Sequence, residues 1–179
     1  KIQAKRREPQ ILVLVPTREL ALQVAEAFHS FAANMPEINI LPIYGGQSYN
    51  TQLSGLRKGA HVIIGTPGRV MDHMRRETLR LDSLKTIILD EADEMLRMGF
   101  AEDVEWVLQQ APTERQIGLF SATMPPAIKK IAEAHLNNPQ RITVKSKTST
   151  ATTIKQFYCL VNGAQKVDAV SRILETEES

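Results

Sequence analysis

The sequence has 179 residues, of which 42% are apolar and 23% charged, with a formal net charge of +2. Such a chain can bury one sizeable core and carry the start of a second domain, and its composition excludes general disorder and a disulfide scaffold. No run of about 18 apolar residues occurs, so neither a membrane-spanning helix nor a membrane partner is expected.

One cysteine, Cys159, allows no internal disulfide and no cysteine-based zinc site. Residues 1–10 are polar and basic, and no signal-peptide pattern follows them. The cytoplasm is the expected compartment. The net charge is too small to imply a nucleic-acid partner by itself. Because the sequence opens on Lys1 rather than methionine, it is expected to be part of a longer chain.

Short β-branched runs alternate with amphipathic stretches. The runs are 11–15, 38–44, 62–65, 86–89, 117–121 and 141–144, each of strand length and mostly apolar on both faces, as buried parallel strands are. Between them, Leu20, Val24, Phe28 and Phe31 form one helical stripe. Val104, Val107, Leu108 and Ala111 form a second, ended by Pro112, and Ile128, Ile131 and Ala132 a third. This alternation predicts an α/β fold with a parallel sheet flanked by helices. Residues 146–153 are polar and without period, and read as a linker. After them, 154–161 reads as a strand and 164–174 as a helix, the opening elements of a second domain.

In open parallel sheets, ligands gather at the carboxyl ends of the strands. The first strand ends in Pro16-Thr17-Arg18-Glu19-Leu20, where Thr17 suits an N-cap and Arg18 puts a cation in the first helical turn. That arginine fits either a solvated side chain paired with an acid or a partner for an anion held at the helix end. The third run ends in Thr66-Pro67-Gly68-Arg69, which repeats the pattern: Thr66 as N-cap, Pro67 at the first helical position, Gly68 for a close backbone approach, Arg69 as a second cation. Two such junctions in one sheet strengthen the phosphate reading. The turn Tyr44-Gly45-Gly46-Gln47 offers exposed N–H groups or is merely a tight turn.

The strand 86–89 delivers Asp90, Glu91 and Asp93, three carboxylates within four residues. One carboxylate at a strand end suits Mg²⁺, and a second can orient a water for attack on phosphate. Acidic residues also simply favour a helix N-terminus. Finally, Ser121 and Thr123 set hydroxyls at another strand end, with Thr123 placed to cap the helix that Pro125 and Pro126 introduce.

Taken in order, Pro16-Thr17-Arg18-Glu19-Leu20, Gly45-Gly46, Thr66-Pro67-Gly68-Arg69, Asp90-Glu91-Ala92-Asp93 and Ser121-Ala122-Thr123 resemble the motifs of the DEAD-box ATP-dependent RNA helicases. The match covers residues 9–145 closely and the tail more weakly. Residues 89–100, LDEADEMLRMGF, look most like the bacterial branch, including its cold-shock helicase.

The resemblance implies a RecA-like fold and RNA-dependent ATP hydrolysis coupled to duplex unwinding, with ATP and Mg²⁺ as the parent's cofactors. By motif, Asp90 would position Mg²⁺ through waters and Glu91 would activate the attacking water. Asp93 would bond the Ser121/Thr123 pair and link hydrolysis to domain closure. Thr17, Arg18, Gly46, Thr66, Gly68 and Arg69 would touch the RNA backbone, gripping it without reading its sequence.

The family's phosphate loop, G-x-x-x-x-G-K-[ST], occurs nowhere in these 179 residues, and its adenine-reading glutamine motif and most of a second RecA-like domain are also outside them. The expected domains are therefore 1–145, an incomplete first RecA-like domain; 146–153, a linker; and 154–179, the start of the second. A chain of this extent is expected to hydrolyse no ATP, and its sheet to expose an edge beside the strand ending at Ser121. The competing readings are a non-enzymatic RNA-binding module derived from a helicase and a protein-interaction domain. The three carboxylates weigh against the former, since a simple polyanion binder has no use for them.

Overall fold

The computed structural model describes residues 2–144, 154–155 and 157–176. The expected linker at 146–153 lies outside the described residues. Two compact units are present, Lys1–Pro139 and Gln140–Ser179.

The first unit runs β1 Ile11–Leu14, α1 Arg18–Phe31, β2 Ile40–Ile43, α2 Tyr49–Lys58, β3 Val62–Gly65, α3 Pro67–Arg75, β4 Thr86–Leu89, α4 Ala92–Arg97, α5 Ala101–Gln110, β5 Gln116–Leu119 and α6 Pro126–His135. The strands form one sheet in the order β2-β3-β1-β4-β5, and every pairing is parallel. Each βαβ step needs a crossover, which the intervening helices provide. β1 sits at the centre, with Ile11 level with Val62 and Thr86, and Leu14 level with Gly65 and Leu89.

Side chains alternate across this sheet and feed two cores. Leu12, Leu14, Ile63, Ile87 and Leu89 pack with α3, α5 and α6 through Val70, Val107 and Ile128. Val13, Val15, Val62 and Ile64 face the other way, against Ala21 and Ala25 of α1. Burial of both faces explains why these strands read as continuous apolar runs.

At the amino ends of the strands, two buried polar side chains hold the segment before β1. Gln10 accepts from the Gln3 N–H and donates to the carbonyls of Gln3 and Arg6. His61 Nδ1 accepts from the Asn39 N–H at 3.0 Å, so its Nε2 must carry the proton donated to the Ala4 carbonyl, also at 3.0 Å.

Four expectations need correction. Residues 141–144 form no strand: Ile142 is 82% and Val144 87% exposed. The described part of 154–161 is not a strand either. A strand exists through its neighbour's hydrogen bonds, and no described strand pairs with either stretch. In the second unit the helix does form, as α7 Lys166–Thr176 after a 3₁₀ turn, Gly163–Gln165. β5 is half-exposed and not buried on both faces like the inner strands; it stands at the sheet edge with β4 as its partner, where an open edge was expected. Phe31 drops out of its stripe, 85% exposed, because it is the last residue of α1 and the face that α1 buries is centred on Ala21 and Ala25, about a quarter turn away.

Candidate functional site

A parallel sheet delivers all its strand ends to one edge. The strand order sorts the motifs along that edge: Gly46 after β2, Thr66 to Arg69 after β3, Thr17 and Arg18 after β1, Asp90 to Asp93 after β4, Ser121 and Thr123 after β5. Arg18, Arg69 and the glycines occupy one half, and Asp90, Glu91, Asp93, Ser121 and Thr123 the other.

On the acidic half, the ladder continues one residue past β4, with the Asp90 N–H bonded to the Leu14 carbonyl at 3.0 Å. The chain then turns from strand into α4 through Glu91, whose backbone is left-handed at φ 49° and ψ 49°. A non-glycine residue held there stores strain. The turn is fixed from both sides. The Ala92 N–H bonds the Phe120 carbonyl, and the Glu91 carbonyl accepts from Glu94 and Met95. Asp90 is half-buried and its Oδ1 accepts from the Glu91 N–H at 3.0 Å, while the Glu91 side chain is exposed.

Asp93 is different: it is 5% exposed. Its Oδ2 accepts from the Thr123 hydroxyl at 2.6 Å and the Thr123 N–H at 3.0 Å. The Asp93 N–H donates to Ser121 Oγ at 3.1 Å, and that hydroxyl donates to the Thr123 carbonyl at 2.7 Å. The hydrogen bond from Thr123 outweighs the opposing effect of burial and lowers the Asp93 carboxyl to about 2. Thr123 thus does not cap α6, as its position suggested; Pro125 holds that place, and the hydroxyl is committed to Asp93.

On the basic half, Thr17 caps α1 by accepting from the Leu20 N–H at 3.2 Å. Arg18 is exposed and lies over the Tyr44 ring, 5.3 Å from its centroid. Gly45 and Gly46 are exposed, and Gly46 takes φ 81°, a conformation that suits glycine. Thr66 stands at the N-cap position of α3, but its hydroxyl makes no capping bond. Gly68 does not meet another backbone: a Cβ there would come within 3.2 Å of the Asp103 carboxylate of α5. Arg69 turns one nitrogen inward, its Nη1 donating to the Gln47 carbonyl at 3.3 Å and to Gln52 Oε1 at 3.1 Å.

Gln52 and His73, both fully buried behind Arg69, are absent from the sequence reading. Their signal is weak: a glutamine in a polar helix and a lone histidine.

The residues present fit Mg²⁺ held mostly by water, since Asp90 offers a carboxylate at a strand end with solvent access. Among the described residues no group of three or more His, Cys, Asp or Glu could hold a metal unaided. The pattern G-x-x-x-x-G-K-[ST] does not occur in the 179 residues.

The model of the DEAD/DEAH box helicase family matches residues 1–131. The chain belongs to the DEAD/DEAH box helicase family. It is 55% identical over 177 residues to the ATP-dependent RNA helicase DeaD of Mycobacterium tuberculosis (strain CDC 1551 / Oshkosh), covering 99% of this chain and 31% of that protein. With the Escherichia coli K12 protein of the same name the identity is 50% over 172 residues, covering 96% of this chain and 27% of the relative. The chain therefore spans less than a third of these two curated relatives.

Among solved structures, a DEAD box protein from the hyperthermophile Methanococcus jannaschii aligns with a TM-score of 0.78 at 39% identity, covering 98% of this chain and 46% of that one. A hypothetical ATP-dependent RNA helicase from Sulfolobus tokodaii aligns at 0.69 and 35%, covering 74% of this chain and 39% of the other. The RecA-like α/β architecture expected for this helicase family is thus the fold of the first unit. No described helix is long and apolar enough to cross a membrane.

Proposed function

We propose that this chain is the RNA-gripping and water-activating part of an ATP-dependent RNA helicase, whose whole protein couples RNA-stimulated ATP hydrolysis to local duplex unwinding. The observation that carries this reading is the sorting of motifs along one sheet edge, with cations and glycines on one side and the Asp93–Thr123 latch on the other. In this reading Thr17, Arg18, Gly46, Thr66, Gly68 and Arg69 hold the RNA backbone. Asp90 would hold Mg²⁺, and exposed Glu91 would take a proton from the attacking water. Asp93 passes the state of the acidic half to β5 through Ser121 and Thr123. Residues 154–179 open the second RecA-like domain.

The 179-residue chain alone binds RNA but hydrolyses no ATP, because it holds nothing that cradles the β- and γ-phosphates. Two measurements test this. Phosphate release by the isolated chain, with and without RNA, is expected at background; a rate above background that disappears in Glu91→Gln sinks the inactivity. Anisotropy of labelled RNA decamers tests the grip. Arg18→Ala is expected to weaken binding of uridine and cytidine decamers alike and to lower the salt slope by about one. Loss confined to one sequence would contradict a backbone contact.

A further inference from the structure

Gln52 is the buried residue of α2, and it is polar. Each hydrogen-bonding position of its amide is used. Nε2 donates to the Tyr44 carbonyl at 2.9 Å and to Gln47 Oε1 at 2.8 Å. Oε1 accepts from Arg69 Nη1 at 3.1 Å and faces His73 Nε2 at 2.9 Å. A turned amide would aim its NH₂ at the guanidinium, so the orientation is forced. His73 therefore carries a proton on Nε2, and its Nδ1 lies 2.8 Å from the Thr78 hydroxyl, which donates to the His73 carbonyl at 3.0 Å. Tyr49 stacks on the imidazole, centroids 4.3 Å apart and planes 8° from parallel. Arg69 also donates to the Gln47 carbonyl.

One amide thus joins three separate pieces of chain: the turn after β2, α2 and α3. The inward bonds use a single guanidinium nitrogen of a half-buried arginine. The Nε and Nη2 edge makes no hydrogen bond among the described residues. That planar edge is the one suited to two oxygens of a phosphate.

We propose that Gln52, backed by His73, is a positioning residue that locks the Arg69 guanidinium to the Gly45-Gly46 turn, so that both meet an RNA phosphate as one prearranged site. Locking the fork beforehand removes the ordering cost that a free arginine meets on binding. The proposal rests on the reading that Arg69 and Gly46 face RNA.

The test is a double-mutant cycle on the 179-residue chain, read by anisotropy of a labelled uridine decamer across a salt series. Cooperative melting by circular dichroism confirms that each variant is folded. Arg69→Ala is expected to weaken binding about tenfold, and Gln52→Leu about fivefold, each lowering the salt slope by about one. Gln52→Leu in the Arg69→Ala background is expected to add nothing. Multiplying effects, or a weaker affinity at an unchanged salt slope, would make Gln52 a structural residue only and overturn the proposal. An unchanged affinity in Gln52→Leu beside a weakened Arg69→Ala overturns it too. An unchanged affinity in Arg69→Ala instead overturns the underlying reading of that arginine. If Gln52→Leu does not melt cooperatively, His73→Asn replaces it, with a two- to threefold loss that must vanish in the Arg69→Ala background.

Discussion

The Thr123 hydroxyl donates to Asp93 Oδ2 across 2.6 Å, tying the segment after β5 to the first turn of α4. Two more bonds, from the Asp93 N–H to Ser121 and from Ser121 to the Thr123 carbonyl, close the link. The turn after β4, which carries the carboxylates, is therefore hydrogen-bonded to the segment after β5, which carries Ser121 and Thr123.

This link has an acid signature. The folded carboxyl of Asp93 sits at about 2, below its ordinary 3.8, so the unfolded chain takes up the proton first. The stabilisation is fully present above pH 4, declines as pH falls, and is gone once pH has passed through about 2. Thr123→Val removes the largest cause of the shift. It should lower unfolding free energy at pH 7 by about 1.5–3 kcal/mol, the range for a hydrogen bond to a charged group. Urea melts from pH 7 to pH 2 check both. The difference between Thr123→Val and the parent should shrink toward the acid end, and a constant difference would refute the linkage.

Glu91 makes the opposite case, a residue held where the fold would rather have another. Its φ of 49° disfavours any side chain with a Cβ, and its side chain makes no capping bond to offset that. Left-handed backbone costs an L-residue about 1–2 kcal/mol, of which glycine's larger unfolded-state entropy cancels part. Glu91→Gly should thus stabilise the chain by about 0.5–1 kcal/mol while removing the carboxylate proposed to activate water. A denaturation midpoint below the parent's would show that the turn carries no strain.

His73 gives a second pH dependence. Burial lowers its basicity below the usual 6.5, and the adjacent Arg69 lowers it further; Asp72 works against this and Arg76 with it. Gln52, Tyr49 and Thr78 are its other neighbours. A histidine with a depressed folded pKa binds fewer protons folded than unfolded. Its stabilisation is therefore complete above about pH 6.5 and is lost as pH falls through the lower folded value. His73→Gln should flatten the slope of stability below pH 6.5. An unchanged slope would place the titration elsewhere.

Much of this was legible beforehand, for physical reasons. The strands 62–65 and 86–89 lie where their apolar runs lie, because a strand buried on both faces has no other way to be written. Thr17 caps as its position implies. α2 was not legible: among its ten residues the buried one is Gln52, so no apolar stripe announces the helix. For Thr123 the local pattern misleads, because a threonine ahead of two prolines looks like a cap; the motif resemblance pairs it with Asp93, and that hydrogen bond is present. Residues 141–144 read as a run of strand length, but a sequence run alone cannot supply the neighbour that a strand needs.

Gly65 offers the sharpest test of the packing that sets this edge. It ends β3, level with Leu14 of β1 and Ile43 of β2. A Cβ there would lie 2.5 Å from the Ile43 carbonyl oxygen and 2.6 Å from Val70 Cγ2. The carbonyl belongs to the ladder, accepting from the Thr66 N–H at 3.0 Å, and cannot withdraw without breaking it. Gly65→Ala should cost about 1–3 kcal/mol, the usual penalty for overpacking, and should shift Thr66 and the start of α3. Gly118 in β5 is the control. A Cβ there meets Phe120 Cε2 at 3.2 Å, the end of an exposed and movable ring. Gly118→Ala should be tolerated within about 0.5 kcal/mol, as at surface sites generally. Equal losses in the two variants, measured by urea denaturation, would mean that close strand approach at β3 is not what requires the glycine.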